Sequence, residues 1–344
     1  GSTPPVEVVK VLVPEKTTKV DTKATTKAKT VAAPKEILPT FEVVPSIRYV
    51  ERITGHIDQM YLDTRVKGKI SNSTIPGIYE SFFDGSASGV IYRYLGVDGK
   101  TITSFLATLG SPNGEFLPSD ILDISISPDK SKFFYLTKTS GGVTGGVRSF
   151  KDTKRTQVFS SSLTEWLSQW VNDQKIYLTT KASSSVEGSL FSLNTANGVL
   201  SKVFGGVLGL TTLASKDGLF VLYSVSTTSG PRLGVFDTIK HTTIDLNLYG
   251  LPEKCVWGSD VYTVYCAIPN EITGTSYPDS WYQGLVSFND YFVRIDVSTK
   301  ISKRIANSAQ EIPIDATHLF LDKTENELFF TNKKDSTLWS LNLN

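Results

Sequence analysis

Ser127-Pro128-Asp129-Lys130-Ser131-Lys132-Phe133-Phe134-Tyr135-Leu136 is a tight polar turn that runs straight into an aromatic strand, and the chain repeats it. An aromatic residue follows a polar turn, near the middle of a short apolar strand, at Tyr49, Tyr92, Tyr135, Tyr177, Tyr223, Tyr265 and Phe330. The gaps between them are 43, 43, 42, 46, 42 and 65 residues. The first five match a period of about 40–45 residues, the length of a four-stranded propeller blade. The last is longer by one loop, the insertion Pro269–Asp290.

Each repeat divides in the same way. In the third, Ile121–Ile126 is an alternating strand, Ser127-Pro-Asp-Lys turns, and Lys132–Thr137, Gly146–Phe150 and Thr156–Ser160 supply three more strands. In the fourth the strands are Leu167–Val171, Lys175–Thr180, Ser189–Leu193 and Leu200–Phe204. In the fifth they are Leu210–Ala214, Phe220–Ser224, Arg232–Phe236 and Thr242–Leu246. Asp and Gly recur in turns such as Ser215-Lys-Asp-Gly and Asp84-Gly-Ser. A tight turn needs a residue that tolerates positive φ and a side chain that bonds its own backbone. No stretch keeps a helical period, although Ser162–Trp170 has room for a helical turn.

The expected fold class is all-β: a seven-bladed β-propeller of four-stranded antiparallel blades over residues 36–344. Six blades plus an N-terminal hairpin is the alternative. A propeller must close its ring, because open edge strands pair with other chains. The last unit, Thr317–Leu321, Glu327–Thr331 and Thr337–Leu343, stops without an outermost strand, and the first needs an innermost strand from Ile37–Val44. An N-terminal segment, either Phe41–Val44 or Val6–Val13, is expected to complete the last blade.

The turn-and-strand units resemble WD-type, TolB-like propeller repeats, whose mark is Ser-Pro-Asp-Gly before an aromatic strand. The match is clear at Ser127–Tyr135 and Ser215–Tyr223 and degenerate elsewhere in residues 36–344. Thr74–Glu80, Glu253–Trp257, Asp279–Ser287 and Phe330–Trp339 look like a narrower group of surface-anchored propellers in candidate-phylum bacteria. That resemblance implies a fold and a surface location, and no activity.

Composition agrees with an ordinary soluble globular body: 344 residues, 20% charged and 40% hydrophobic. The 14 Tyr, 18 Phe and 5 Trp against one Met suit β-structure. The net charge of +1 is unevenly spread: residues 1–35 hold seven lysines against three acids, so they carry +4 and the remainder carries −3. The body is not basic, and a nucleic-acid groove is not indicated. No apolar run is long enough to span a bilayer. Gly1-Ser2 reads as a cloning remnant, so membrane attachment is expected only through an anchor upstream. Residues 14–35 are dominated by Thr, Lys, Ala and Pro with no aromatic residue, too little apolar surface to offset their ordering entropy. Residues 1–35 are therefore read as an extended, mostly disordered linker, either a basic spacer or a plain solvated tether. Within them, residues 5–13 are β-branched and could add a strand.

Only Cys255 and Cys266 occur, flanking a hairpin. If its turn centres between Asp260 and Val261, the two stand directly opposite each other, with Cβ atoms about 4.5–5.5 Å apart. A disulfide is favoured, which would place the body outside the cytoplasm. Two small buried hydrophobes in a cytosolic strand pair is the alternative.

The insertion Pro269–Asp290 joins two strands of the sixth unit, and loops of this length are often functional. Tyr277, Asp279, Trp281, Tyr282 and Gln283 are the residue types of a binding hot spot, for protein or for a sugar ring. Equally, Trp281 could fold back as a plug. Trp166 and Trp170 could share a helical face, but a core role in the innermost strand fits better. His56, His241 and His318 are scattered, and only His318 falls on an innermost strand. Gly141–Gly146 joins two strands and reads as a flexible loop rather than a phosphate cradle. There is no nucleophile elbow, HExxH, P-loop or EF-hand loop, and no carboxylate pair spaced for glycoside hydrolysis. No catalytic residue, metal site or cofactor is assigned. The expectation is a monomeric, surface-displayed bacterial module that binds a protein, with glycan binding and a propeller hydrolase or lyase as alternatives.

Overall fold

The computed structural model describes residues 6–12, 41–307 and 312–344, and of residues 6–12 and 41–43 only the backbone. The linker reading of residues 14–35, like Ile37–Thr40, lies outside the described residues. Seven antiparallel sheets follow one another along the chain. Blade 1 is β1 (Val6–Leu12), β2 (Phe41–Val50), β3 (Ile57–Tyr61) and β4 (Lys67–Ser71). Blade 2 is β5 (Ile78–Phe83), β6 (Gly89–Leu95), β7 (Ile102–Thr108) and β8 (Gly114–Phe116). Blade 3 is β9 (Ile121–Ile126), β10 (Lys132–Thr139), β11 (Gly142–Ser149) and β12 (Arg155–Ser161). Blade 4 is β13 (Trp166–Asn172), β14 (Lys175–Thr180), β15 (Glu187–Asn194) and β16 (Leu200–Leu208). Blade 5 is β17 (Thr211–Ala214), β18 (Phe220–Thr227), β19 (Gly230–Asp237) and β20 (Thr242–Tyr249). Blade 6 is β21 (Cys255–Trp257), β22 (Thr263–Pro269), β23 (Asp290–Asp296) and β24 (Ile301–Asn307). Blade 7 has three strands among the described residues, β25 (Ala316–Leu321), β26 (Glu327–Asn332) and β27 (Leu338–Asn342).

The repeated turn explains itself at atomic level. In Ser127–Lys132 the Ser127 hydroxyl donates to Asp129 Oδ1 (2.6 Å) and accepts from Lys132 N (2.9 Å). Asp129 also accepts from Ser131 N (3.1 Å), and Lys130 takes the left-handed conformation the turn requires. Ser215 and Asp217 repeat these bonds, with Gly218 at φ 72°. The aspartate is a backbone ligand. Hydrogen bonds, the Ser127 hydroxyl first, hold the Asp129 carboxyl down at about 2.

The aromatic strands fill the gaps between blades. Phe133 and Tyr135 of blade 3 pack on Ile91 and Leu106 of blade 2, and Trp166 and Trp170 of blade 4 pack on Phe134 and Phe159 of blade 3. Six apolar clusters of this kind join successive blades. No such cluster joins blade 7 to blade 1 among the described residues. There the two sheets leave a groove of about 650 Å³ lined by Ile47, Tyr49, Met60, Phe329 and Leu338. Arg65 bonds Glu327 across one end, and Arg52 Nη1 donates to Ser336 Oγ (2.8 Å) across the other.

The core role favoured for Trp166 and Trp170 holds: both lie on β13, where an even spacing puts both rings on one buried face. Two expectations need correction. The glycine run is not a loop beyond Gly141: β11 starts at Gly142, and a Cβ on Gly145 would meet the Phe134 ring at 2.4 Å. Glycine is there for close packing. Neither N-terminal candidate reaches β27. Val6–Leu12 pairs with Phe41–Ile47, and Phe41–Val44 is the first half of β2 rather than a separate strand.

Candidate functional site

Inner strands of neighbouring blades meet around a central channel. The Ser168 hydroxyl of β13 donates to Asp123 Oδ2 of β9 (2.6 Å), and Trp257 Nε1 of β21 donates to Leu213 O of β17 (3.0 Å). Tyr79, Leu122, Leu167 and His318 occupy the second or third residue of their inner strands and are exposed there. Burial above all pushes the His318 imidazole down to about 4.

Residues 270–289 form a lid that reaches from blade 6 onto blades 4, 5 and 7 at the end of the ring where the inner strands begin. Their roots are clamped together: Pro269 pairs with Asp290, and Asn270 N donates to Asn289 O (2.8 Å). Inside, Tyr277, Trp281, Phe288 and Leu251 make a small core of their own. Phe288 stacks on both Tyr277 (5.6 Å) and Trp281 (6.3 Å). The short helix α1 (Asp279–Tyr282) carries the lid across the ring. Asp279 Oδ2 accepts from Ser184 N of blade 4 (2.6 Å). Ile272 sits so close to Gly230 of blade 5 that a Cβ there would lie 2.6 Å from its methyl group. On the far side, Lys333 of blade 7 donates to Trp281 O and holds its ammonium 3.9 Å from the centre of the indole.

The lid rests on a buried charge cluster. Lys254, Asp290 and Asp315 are each fully shielded from solvent. Lys254 Nζ lies 2.7 Å from Asp290 Oδ2 and 2.6 Å from Asp315 Oδ1, and donates a third bond to Ala316 O (2.9 Å). Asp315 is the lid's anchor: it also accepts from Trp281 Nε1 (3.1 Å), Ser287 Oγ (3.1 Å) and Phe288 N (3.0 Å). Burial pushes its carboxyl up, but Lys254 and these donors outweigh burial and hold it below the usual range. Asp290 has fewer donors. Burial prevails over Lys254 and Ala316 N and lifts it to about 6. Beside them the Tyr282 hydroxyl bonds Glu253, and burial raises the Glu253 carboxyl. The Tyr282 ring is partly exposed while its hydroxyl turns inward, and burial, then Glu253, lifts the phenol well above its ordinary value.

The five residues expected to bind therefore divide. Tyr277 and Trp281 are interior, 0% and 4% exposed, and Asp279 is spent on Ser184 N. Tyr282, Gln283 and the neighbouring Leu285 face solvent on the lid's outer surface. Cys255 and Cys266 are directly opposed across β21 and β22 and disulfide-bonded, with Cα atoms 4.1 Å apart. His56, His241 and His318 do not meet. Sequence reading passed over Lys254, Asp315 and Lys333. The one available signal was a charge immediately before an inner strand, as at Lys254 before β21 and Asp315 before β25. Among the described residues no group of three His, Cys, Asp or Glu side chains is placed to hold a metal ion.

No protein-family model matches the sequence, and no curated protein matches it. Solved structures do. TolB from Acinetobacter baumannii is similar with a TM-score of 0.50 at 14% identity, over 76% of this chain and 64% of that one, so the chain spans less than two thirds of TolB's length. An oligogalacturonate lyase in complex with manganese is similar at 0.56 and 10% identity, over 88% and 93% of the two chains. A prolyl endopeptidase is similar at 0.53 and 13% identity, over 85% of this chain and 45% of that one. At these identities the likeness is one of fold: a TolB-like β-propeller.

Proposed function

We propose that this chain is a binding or scaffold module that works outside the cytoplasm and meets a protein partner on its lid face. The observation that carries this reading is how the channel mouth is finished. Its charged groups are buried against one another beneath the lid, while Tyr282, Gln283 and Leu285 are exposed on it. A hydrolase or lyase needs converging groups that a substrate can touch, and a sugar site needs an exposed aromatic platform. With Trp281 and Tyr277 turned inward, the sugar reading loses its best residues. The disulfide supports an oxidising compartment. Resemblance to surface-anchored propellers of candidate-phylum bacteria supports display at the cell surface, with the basic N-terminal segment as spacer. The lid cluster offers none of the substrate-accessible groups that a lyase or an endopeptidase needs, since Lys254, Asp290 and Asp315 are fully buried.

A photocrosslinker placed at Gln283 or Leu285 tests the reading in the native cell envelope. A discrete protein adduct is expected from these positions and not from Ile239, which is exposed on the opposite face of the ring. Equal adducts from both faces, or adducts to polysaccharide alone, would overturn it.

A further inference from the structure

We propose that Asp290 is a proton-operated latch for the lid: protonated, it leaves a balanced Lys254–Asp315 pair that holds the lid shut; ionised, it loosens the lid from the channel mouth. The proposal does not rest on which partner the lid face meets.

The geometry supplies one ammonium for two carboxylates. All three groups are fully buried, so with both aspartates ionised the cluster holds one uncompensated negative charge away from water. Such a charge is costly, and a single proton removes it. Which carboxyl takes the proton is decided by hydrogen bonding. Asp315 is gripped by Lys254, Trp281, Ser287 and Phe288 and stays ionised. Asp290 accepts from Lys254 and from Ala316 N (2.7 Å) on Oδ2 alone, and its buried Oδ1 has no partner. Burial raises its carboxyl to about 6, which agrees with that assignment.

The groups that face Asp290 come from three sides. Lys254, with Glu253 before it, leads into β21; Asp315 leads into β25; and Lys333 of blade 7 lies over Trp281. Both lysines face the same lid core, and the described residues place no histidine in this hydrogen-bonded cluster. Of the two carboxyls that share Lys254, Asp290 is therefore the one that takes and gives up the proton.

Its position turns that change into motion. Asp290 is the lid's C-terminal root, paired with Pro269 at the N-terminal root, and it shares Lys254 with the residue that anchors Trp281. With the lid lifted, water reaches the carboxylate and restores its ordinary acidity. The ionised form thus favours the lifted state, and the protonated form favours the closed one. Opening withdraws Trp281 and uncovers Lys254, Lys333 and Glu253, converting a sealed mouth into a charged one.

Hydrogen exchange of the full chain at pH 5 and pH 7.5, corrected for intrinsic rates, reads the latch directly. Protection of the amides in residues 277–288 should fall about tenfold between the two, given a carboxyl near 6 when closed and ordinary when open. Blade 3 amides should not change. In Asp290→Asn the lid should stay protected at both values. The Trp281 indole N–H resonance of the unmodified chain should also titrate with a midpoint near 6, which needs no variant. Equal lid protection at both pH values, an indole resonance that does not move, or an Asp290→Asn lid that still loosens at pH 7.5 would each overturn the proposal.

Discussion

Lys254 shows how a single residue organises the candidate site. A fully buried lysine survives only if its charge is matched and its donors are used, and here all three donors find oxygen. Removing a partner leaves a bare charge, so Asp315→Ala should cost about 3–5 kcal/mol of stability, measured by urea unfolding. Asp290→Asn keeps an acceptor beside Lys254 and removes the excess negative charge, so its urea midpoint at pH 7 should lie above that of the unmodified chain. The two aspartates also set opposite pH dependences. Folded Asp290 holds its proton up to about 6, against 3.8 when unfolded. Between those values the folded state binds more protons, and stability falls as pH rises, by about 3 kcal/mol in total. Asp315, held below 3.8, contributes in full above that value and is lost as pH falls through its lowered range. Unfolding titrations on the unmodified chain and on Asp290→Asn should differ across pH 4–6 and converge below it. Curves that run parallel throughout would refute this account.

At the scale of single elements, two hairpins carry most of the information. The turn Ser127–Lys132 and its copy at Ser215–Phe220 are local devices: side chain and backbone bond within a few residues. That is why both are legible in sequence. The hairpin of β21 and β22 is equally local. Once its turn centres between Asp260 and Val261, antiparallel pairing places Cys255 on Cys266, and the disulfide follows. Closing so short a loop contributes about 2–3 kcal/mol through the unfolded chain. A Cys255→Ser, Cys266→Ser double variant should lose that much. Thiol titration of the unreduced, denatured chain should find no free cysteine, and two free thiols would refute the bond. The lid is an element of another kind. Its core residues, Tyr277, Trp281 and Phe288, are packed by Leu251 and tied to blades 4 and 7, so its conformation is not written in its own twenty residues.

For the whole molecule, the described residues pack the ring tightly at six interfaces and more loosely at one. A buried Leu, Ile or Phe is worth about 1.5–3 kcal/mol, and each of the six clusters contains several. Between blades 7 and 1 the described residues offer the Arg65–Glu327 pair, the Arg52–Ser336 bond and an open groove. An ion pair with a half-exposed arginine gives about 1 kcal/mol or less. Local opening should therefore start at this seam. Native-state hydrogen exchange should find β3 and β26 less protected than β10 and β14, and Arg65→Ala should widen the difference while costing under about 1 kcal/mol overall. Equal protection around the ring would show that the seam is closed by something stronger.

The sequence by itself determined the blade, its number and its turns. These arise from near neighbours: a period of two along each strand, an aspartate bonding its own backbone, and a hairpin whose centre fixes its register. It also singled out Pro269–Asp290 as the place where the repeat breaks. What that loop does was decided only in three dimensions. Whether Trp281 faces out or in depends on Asp315, Lys333 and Leu251, which other blades and connections deliver to the channel mouth. Lys254 and Asp315 stand 61 residues apart. No local pattern links them, because the packing of blade 7 against blade 6, and not the spacing of the chain, brings a lysine and two aspartates into one buried cluster.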